Sequence, residues 1–292
     1  MATDIAPATG RGIRRTASVL RKDRLAFLGL VIIGVLVVLA VFGSWIAPFP
    51  AQGAGAANVP ARNLGPGAAH WLGTDALGRD VLSRVIMGAR PALAVSLFVV
   101  AVAALVGVPL GAIAGYRGGW LDEALMRVTE VFQSFPPLLL AMIMVALLGP
   151  GLTNAGIALS LSWWPWYARL LRAEARSLRE RPYVTAAEAI GVRPSRILVR
   201  HIIRNSMTPI LVQATVDIGT VVLAAGSLAF IGLGAQPPFP DWGLMVAEGR
   251  GQILGHWWIS TFPGLAIFIT VLAFNLVGDA LRDWFDPRQV KR

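Results

Sequence analysis

The sequence predicts an all-α integral membrane protein with six transmembrane helices. Three observations carry that expectation. Apolar residues make up 55% of the 292 residues, and mean hydropathy is +0.64. Charged residues make up only 14%, against about 25% in an average soluble domain. Apolar runs of about 20 residues, the length that crosses a bilayer, recur along the chain. High hydropathy with low charge excludes disorder. A soluble globule of this size has too little interior to hide so much apolar sequence.

Residues 1–24 form a basic tail, and the clearest span, 25–47, carries no charge after Arg24. Its 23 residues exceed the 7–15 of a signal-peptide core, so it is expected to remain as an uncleaved first helix. Residues 48–91 then form an extracytoplasmic loop, with Val81 to Met87 as an interfacial helix. The second span is 92–115. The third, Pro137 to about Leu152, is short and continues backwards through amphipathic Leu121–Phe132. The fourth is Asn154 to about Leu171, with Trp163, Trp164 and Trp166 near its end, as at a membrane interface. Met207–Gly234 and Trp257–Val277 are the fifth and sixth, and 281–292 is a closing tail.

Lysine and arginine set the orientation. With both termini inside, the cytoplasmic segments hold 21 basic residues and the outer ones 5, and nine of the 21 lie between Arg169 and Arg204. The positive-inside rule therefore places both termini and the 172–206 loop in the cytoplasm. The net charge of +10 is thereby read as topological anchoring, with no nucleic-acid partner.

Several chemistries are missing. The chain has no cysteine, three scattered histidines (His70, His201, His256) and no HExxH pair. No catalytic residue and no metal ligand set is expected. A P-loop needs a lysine after its glycine-rich turn, and the two lysines, Lys22 and Lys291, lack that context. A pump built from this chain takes its energy from a partner ATPase or an ion gradient. Asp217 is the one carboxylate well inside a span. Such a residue is a substrate or proton site by default. The plainer reading is a carboxylate facing a subunit interface or in the cytoplasmic third of its helix. An intramembrane hydrolase would need a second aspartate or a Ser/His pair at matching depth, and none is present.

Three smaller constellations stay open. Gly73, Thr74, Asp75, Gly78, Arg79 and Asp80 form a glycine-bracketed loop in which Asp75 or Asp80 pairs with Arg79 or Arg84. It reads as a structural clasp at the outer mouth or as a ligand loop. Tyr116–Trp120 is a tight cytoplasmic turn with an aromatic pair. Asp122, Glu123 and Arg127 after it form a solvated face or an ATPase contact. Gln236–Trp242 is a rigid outer loop that either meets a delivery protein or shapes the rim.

The most informative stretch is Glu174–Pro209, EARSLRERPYVTAAEAIGVRPSRILVRHIIRNSMTP. Tyr183–Ile190 has helix formers and a small patch, Ala186, Ala187 and Ala189. Gly191 permits the positive φ that ends a helix, and Pro194 suits the first turn of the next, expected over Ser195–Asn205. A helix–turn–helix elbow results, about 174–206, whose small face permits close docking in a partner's cleft.

This stretch resembles the EAA loop of ABC-transporter permeases, with Thr185-Ala186-Ala187, Gly191 and His201–Asn205 in the pattern's places. Thr185 stands where glutamate is usual, and Arg204 where proline is common. Glu188, one turn on, is the candidate substitute for the missing acid. HWLGTDALGRDVLSRVIMGAR (70–90), GAIAGYRGGWLDEALMR (111–127), FPPLLLA (135–141), FIGLGAQPPFPDWGLMVAEGR (230–250) and FPGLAIFITVLAFNLVGDALRDWFDPR (262–288) resemble the second permease subunit of dipeptide, oligopeptide and nickel importers. Ala225 departs from it, since many relatives carry glutamate there.

The resemblance implies a type I ABC importer transmembrane domain over about 92–280. It implies the permease subunit of a dipeptide or oligopeptide importer, with nickel or glutathione import as the alternative within the family. A secondary transporter coupled through Asp217 is the competing class. The implied partners are a second homologous permease, two ATP-binding subunits holding ATP and Mg, an extracytoplasmic substrate-binding protein and membrane lipid. No cofactor is bound by this chain. The implied place is the bacterial cytoplasmic (inner) membrane. The implied coupling residues are Tyr183, Thr185, Ala186, Ala187, Glu188, Gly191, Pro194 and Asn205. ATP binding would close the ATPase dimer and switch the spans from inward-open to outward-open through this loop.

Overall fold

The computed structural model describes residues 24–285. The basic residues counted in 1–23 and 286–292 lie outside the described residues.

The order of elements is α1 (Arg24–Ile46), α2 (Pro50–Gly53), α3 (Val81–Arg117), α4 (Gly119–Gln133), α5 (Pro137–Leu148), α6 (Leu152–Arg179), α7 (Pro182–Ala189), α8 (Pro194–Ile197), α9 (Met207–Phe230), α10 (Trp242–Gly249) and α11 (Trp258–Phe285). Among the described residues there is no β-strand, and one isolated antiparallel bridge joins Thr74 to Asp80.

Among the described residues four helical stretches are long and apolar enough to cross a membrane: Arg24–Ile46, Val81–Arg117, Pro194–Phe230 and Trp258–Phe285. The pair α4 and α5 makes a fifth if taken as one span, bent by 82°. Proline at 136 and 137 causes the break, because an X–Pro step disfavours the helical conformation of the residue before it. The fourth expected span lies in α6, which at 28 residues is long enough. Its composition is too polar to pass as lipid-facing. The physical reason is its position: Ala155, Ala158, Leu159, Trp163, Trp164, Tyr167, Ala168 and Leu171 are buried by neighbouring helices, so protein rather than hydrocarbon surrounds it.

Two boundaries differ from expectation. Val81–Met87 is not a separate interfacial helix; it is the opening of the 37-residue α3, which runs through Pro91 and Pro109. The second elbow helix is not separate from the fifth span either. From Pro194 the chain passes through α8, a π-helical segment Leu198–Ile203 and a 3-10 turn Arg204–Ser206 directly into α9.

α3 and α6 form the central pair. Gly107, Gly111 and Gly115 recur every fourth residue on α3. A Cβ at any of them would run into the backbone or side chains of Trp164, Tyr167, Ala168, Arg172 or Ala175. Small residues at this spacing let two backbones approach closely, which drives helix association where no water is available to be expelled. Around the pair lies the main core, including Val99, Ala103, Val145, Leu159, Tyr167, Val221 and Leu228. α1 is peripheral: most of its apolar side chains are exposed, and only Ala26, Gly29, Leu36 and Gly43 are buried.

This packing makes a prediction. Gly111→Leu is expected to lower the apparent melting temperature of the detergent-solubilised protein by about 5 °C or more, or to abolish its monodisperse peak, as overpacking costs of about 1–3 kcal/mol or above imply. Gly34→Leu, whose Cβ would meet nothing within 4 Å, is expected to be neutral. Fluorescence-detected size-exclusion after heating reads both.

Candidate functional site

The elbow is built by local rules. Arg181 is extended and Pro182 opens α7. The Thr185 hydroxyl donates to the Pro182 carbonyl at 3.0 Å. At the far end Gly191 takes φ +78°. Its N–H donates to the Glu188 carbonyl and that of Val192 to the Ala187 carbonyl, both at 3.0 Å. That pair of bonds is a Schellman closure, which needs a residue free to adopt the left-handed region. Arg193 is extended and Pro194 restarts the helix.

A small core then fastens the elbow to the bundle. Val184 and Ala187 of α7 pack with Ile197, Ile202, Ala175 of α6 and Tyr116 of α3. The Asn205 amide donates to the His201 carbonyl and, at 3.4 Å, to the Tyr183 hydroxyl. The Glu188 carboxylate faces the Tyr116 hydroxyl and, among the described residues, forms no ion pair.

The small patch is divided by this arrangement. Ala187 is 8% exposed and points into the elbow's own core; Ala186 and Ala189 face outward, beside Ile190 at 81% exposed. Bulk at Ala187 would therefore disturb the elbow itself, whereas bulk at Ala186 tests its outer face.

One anchor near the elbow went unseen in the sequence. Asp122, in the first turn of α4, is 3% exposed. It accepts from Arg172 through both oxygens, at 2.6 and 2.9 Å, and from Arg176. Such bidentate charge-assisted pairs are strong and directional. Glu123 and Arg127 are the solvated face, joined by an exposed 3.4 Å pair. The aromatic pair of the turn separates: Tyr116 is buried, with Arg179 6.0 Å over its ring, and Trp120 is 79% exposed. The signal available was arginine at 172 and 176, one turn apart, which needs an acidic partner if one face is buried.

At the opposite end the 73–80 loop closes on itself. Gly73 and Gly78 both have positive φ. Asp75 accepts from the Arg79 and Leu77 backbone N–H groups at 2.9 Å, from Arg79 Nε at 2.6 Å and from Arg84 Nη1 at 2.9 Å. Asp80 caps α3 through the Ser83 N–H and hydroxyl, each at 2.7 Å, and meets His70 Nδ1 at 2.8 Å. The Thr74 hydroxyl donates to the Ala61 carbonyl and accepts from the Leu64 N–H. Asp75 therefore serves both arginines and Asp80 neither.

The remaining partner is Glu248 of α10, which takes Arg79 Nη2 at 2.8 Å and Arg84 Nη1 at 3.2 Å. Trp242 and Trp258 add indole bonds to the Val85 and Thr74 carbonyls. The 236–242 loop is mostly structural here. Asp241 caps α10 by accepting from Leu244 N–H at 2.9 Å, and burial pushes its carboxyl above the usual carboxylate range. Phe239 remains exposed.

Asp217 lies mid-helix in α9, 6% exposed within the single chain, so it does not face a subunit interface. Gln213 Nε2 donates to its Oδ1 at 3.0 Å, and Tyr167 and Trp163 of α6 face the same carboxyl. Tyr167 Oη faces Asp217, and neither it nor Asp217 Oδ2 makes a well-formed hydrogen bond among the described residues. Among the described residues no group of three or more His, Cys, Asp or Glu side chains converges as a metal site would require.

These features define a class, a helical membrane subunit with a rigid elbow at one end and a charged clasp at the other. The solved structures share its fold. An inward-facing methionine ABC transporter matches with TM-score 0.56 at 20% identity, covering 70% of this chain and 97% of that one. An amino acid ABC transporter matches at 0.53 and 15%, covering 69% and 94%. The fold is thus that of type I ABC importer permeases.

The chain belongs to the family described as the binding-protein-dependent transport system inner membrane component, which matches residues 107–291. The N-terminal domain of oligopeptide transport permease C matches 13–66. Among similar proteins are the dipeptide transport system permease of Alkalihalophilus pseudofirmus (44% identical, 92% of this chain and 88% of that protein) and the probable D,D-dipeptide transport system permease of Escherichia coli K12 (42%, 92% and 89%). The glutathione transport system permease of Escherichia coli O6:K15:H31 is 42% identical over 92% and 88%. The chain is therefore a multi-pass inner-membrane permease subunit of an ABC importer.

The clasp yields the second prediction. Arg84 is fully buried, so Arg84→Met removes a cation and leaves Asp75 and Glu248 short of a partner. Breaking one side of a buried pair costs about 3–5 kcal/mol. Limited proteolysis of the solubilised protein is expected to cut the 55–80 loop markedly faster in this variant; unchanged cleavage would contradict the clasp.

Proposed function

We propose that this chain pairs with a second homologous permease, two ATP-binding subunits and an extracytoplasmic substrate-binding protein to import dipeptides or oligopeptides. Short peptides are the shared chemistry in the names of the relatives, which supports that substrate class over nickel. Both termini are taken as cytoplasmic on the basic-residue asymmetry, ATP and Mg are held by the partner subunits, and residues 92–280 are the permease core.

The observation that carries the mechanism is the buried contact of the elbow with two spans at once. A push on α7 meets Val184 and Ala187 first, then Ile197 and Ile202, then Tyr116 on α3 and Ala175 on α6. The Asp122–Arg172 pair takes the same displacement to α4. Packed interiors transmit strain because they have no slack to absorb it. ATP binding on the partner subunits thereby favours one arrangement of the spans over the other, a population shift set by differential affinity.

Gly191→Val forces a β-branched residue to φ +78°, a backbone region such residues avoid. Its Cβ would meet nothing within 4 Å, so any effect reports the turn rather than crowding. Ala186→Arg adds bulk on the outer face of α7. In the reconstituted complex both are expected to lower binding-protein-stimulated ATPase and uptake by about tenfold or more, with cargo affinity of the binding protein unchanged. Normal subunit retention, stimulation and uptake in both variants would remove the elbow from coupling.

A secondary transporter coupled through Asp217 is the reading to exclude. Asn preserves the acceptor that Gln213 uses, so Asp217→Asn is expected to retain at least about half of ATP-driven uptake. Loss of uptake with assembly and ATPase activity intact would place Asp217 in the transport path.

A further inference from the structure

Asp217 takes no part in the contacts that carry a push from the elbow to α3 and α6. Its place between two helix pairs gives it a role of its own. α3 and α6 are one pair, held through Gly107, Gly111 and Gly115. α9 and α11 are the other. A Cβ at Gly219 of α9 would come within 3.3 Å of Phe274 and Val271 of α11, and one at Gly278 of α11 would come to 2.5 Å from Val216 of α9. Small residues on both helices let the two backbones pack closely, so that they behave as one body. Val216 therefore faces α11, and Asp217, the next residue, turns toward α6.

The carboxyl is aimed by its own helix. Gln213, one turn toward the elbow, donates to Oδ1 at 3.0 Å. On α6 the carboxyl meets two donors, the Trp163 indole and the Tyr167 hydroxyl. These residues are one turn apart, about 5–6 Å along the helix. Pro165 lies between them, where it removes a backbone N–H from the helical ladder. Tyr167 is fixed at the α3–α6 crossing, since a Cβ at Gly107 would come to 2.6 Å from its own Cβ. Yet Asp217 Oδ2 and Tyr167 Oη, both buried, lack a well-formed hydrogen bond among the described residues. The carboxyl stands beside two donors, and its bond to Tyr167 is not closed.

The surrounding contact differs in kind. Leu159 and Leu171 of α6 lie in one apolar core with Ile210, Val221 and Leu228 of α9. Apolar burial is non-directional, so it does not by itself single out one position of α9 along α6. Hydrogen bonds are directional, and a polar group that loses its partner inside a bilayer finds no water to replace it. Asp217 thus makes some positions better than others, namely those in which Oδ2 meets one donor or the other. The elbow runs into α9 without a loop, so a displacement there passes along α9 and is felt at this contact.

We propose that Asp217 is a positioning residue for transport, a two-position latch whose carboxyl closes on Tyr167 in one state of the spans and on Trp163 in the other, as the α9–α11 pair moves along the α3–α6 pair. The inference rests on the proposed importer function and deepens it by naming the contact that gives the spans two preferred arrangements. Exchange of partners one turn apart is a form that switching between packed elements takes. Asp217 touches no cargo and passes on no proton here, which separates the latch from a secondary transporter.

The test uses three side-chain truncations and one conservative variant in the full reconstituted complex, with ATPase measured with and without cargo-loaded binding protein. Tyr167→Phe removes one donor, Trp163→Phe the other and Asp217→Leu the acceptor. Losing one position biases the spans to the other, so Tyr167→Phe and Trp163→Phe are expected to shift the unstimulated rate in opposite directions, each by about threefold or more, as one hydrogen bond implies. Asp217→Leu is expected to lower the ratio of stimulated to unstimulated rate by about threefold or more. Adding Tyr167→Phe to it is expected to change nothing further, because the partner is already gone. Asp217→Asn keeps an acceptor oxygen and is expected to hold the ratio within about twofold of wild type.

A shift of the unstimulated rate in the same direction by Tyr167→Phe and Trp163→Phe, or independent, additive effects of Asp217→Leu and Tyr167→Phe, would overturn the latch. So would variants that lose thermal stability while every rate and ratio stays at the wild-type value, since the contact would then be purely structural. If Trp163→Phe does not assemble, the non-additivity of Asp217→Leu and Tyr167→Phe decides the matter. A wild-type complex without ATP-driven uptake in the presence of loaded binding protein would remove the importer reading and the latch together. Wild-type uptake with unmoved variants would remove the latch alone.

Discussion

The close approach of α3 and α6 is the constraint on which the rest of the bundle depends. Gly107, Gly111 and Gly115 bring the α3 backbone against Trp164, Ala168 and Arg172, and this contact sets where everything attached to the two helices falls. At the elbow end it brings Tyr116 beside Ala175, which makes the elbow core possible. It also brings α4, which leaves α3 through Gly118 and Gly119, within reach of Arg172 and Arg176. A single Cβ in that row would separate the backbones and loosen both attachments.

Charge is handled oppositely at the two ends of the molecule. At the clasp, Asp75, Arg79, Arg84 and Glu248 are largely withdrawn from water and bonded to one another. Such a network contributes little net stability compared with apolar packing, but it is costly to break from one side. Its effect is to hold α10 and the 73–80 loop in one geometry at the start of α3. At the elbow end, Asp122 secures α6 to α4 in the same manner, while Arg193, Arg196, Arg200 and Arg204 are open to solvent. Buried pairs thus define the rigid parts, and the cations without an ion pair among the described residues lie on the exposed surface of the elbow.

The elbow was readable because its signals are local. Gly191 and Pro194 each act through their own backbone, and the structure uses both as turn chemistry requires. The direction of Ala187 was not readable from the small-residue patch, because a short helix shows its buried face only when Val184, Ile197 and Tyr116 are in place around it. The same holds for α6. Its polar composition weakens it as a lipid-facing span, and its enclosure by neighbouring helices explains how a helix with serine, asparagine and three tryptophans lies in the middle of the bundle.

What the sequence alone determined is what depends on neighbours along the chain: the long apolar runs, the basic asymmetry between loops, the turn residues of the elbow and the motifs that mark the permease family. Hydrophobic periodicity and backbone restriction act within a few residues, so they can be read in one dimension. What only the tertiary structure decided is pairing over distance. Glu248 meets Arg79 across 169 residues of chain, Arg172 meets Asp122 across 50, and Asp217 faces Tyr167 rather than a subunit interface. Each side chain had several admissible partners in the sequence. The helix packing selected among them, because the low dielectric of a buried site makes the one partner within reach decisive.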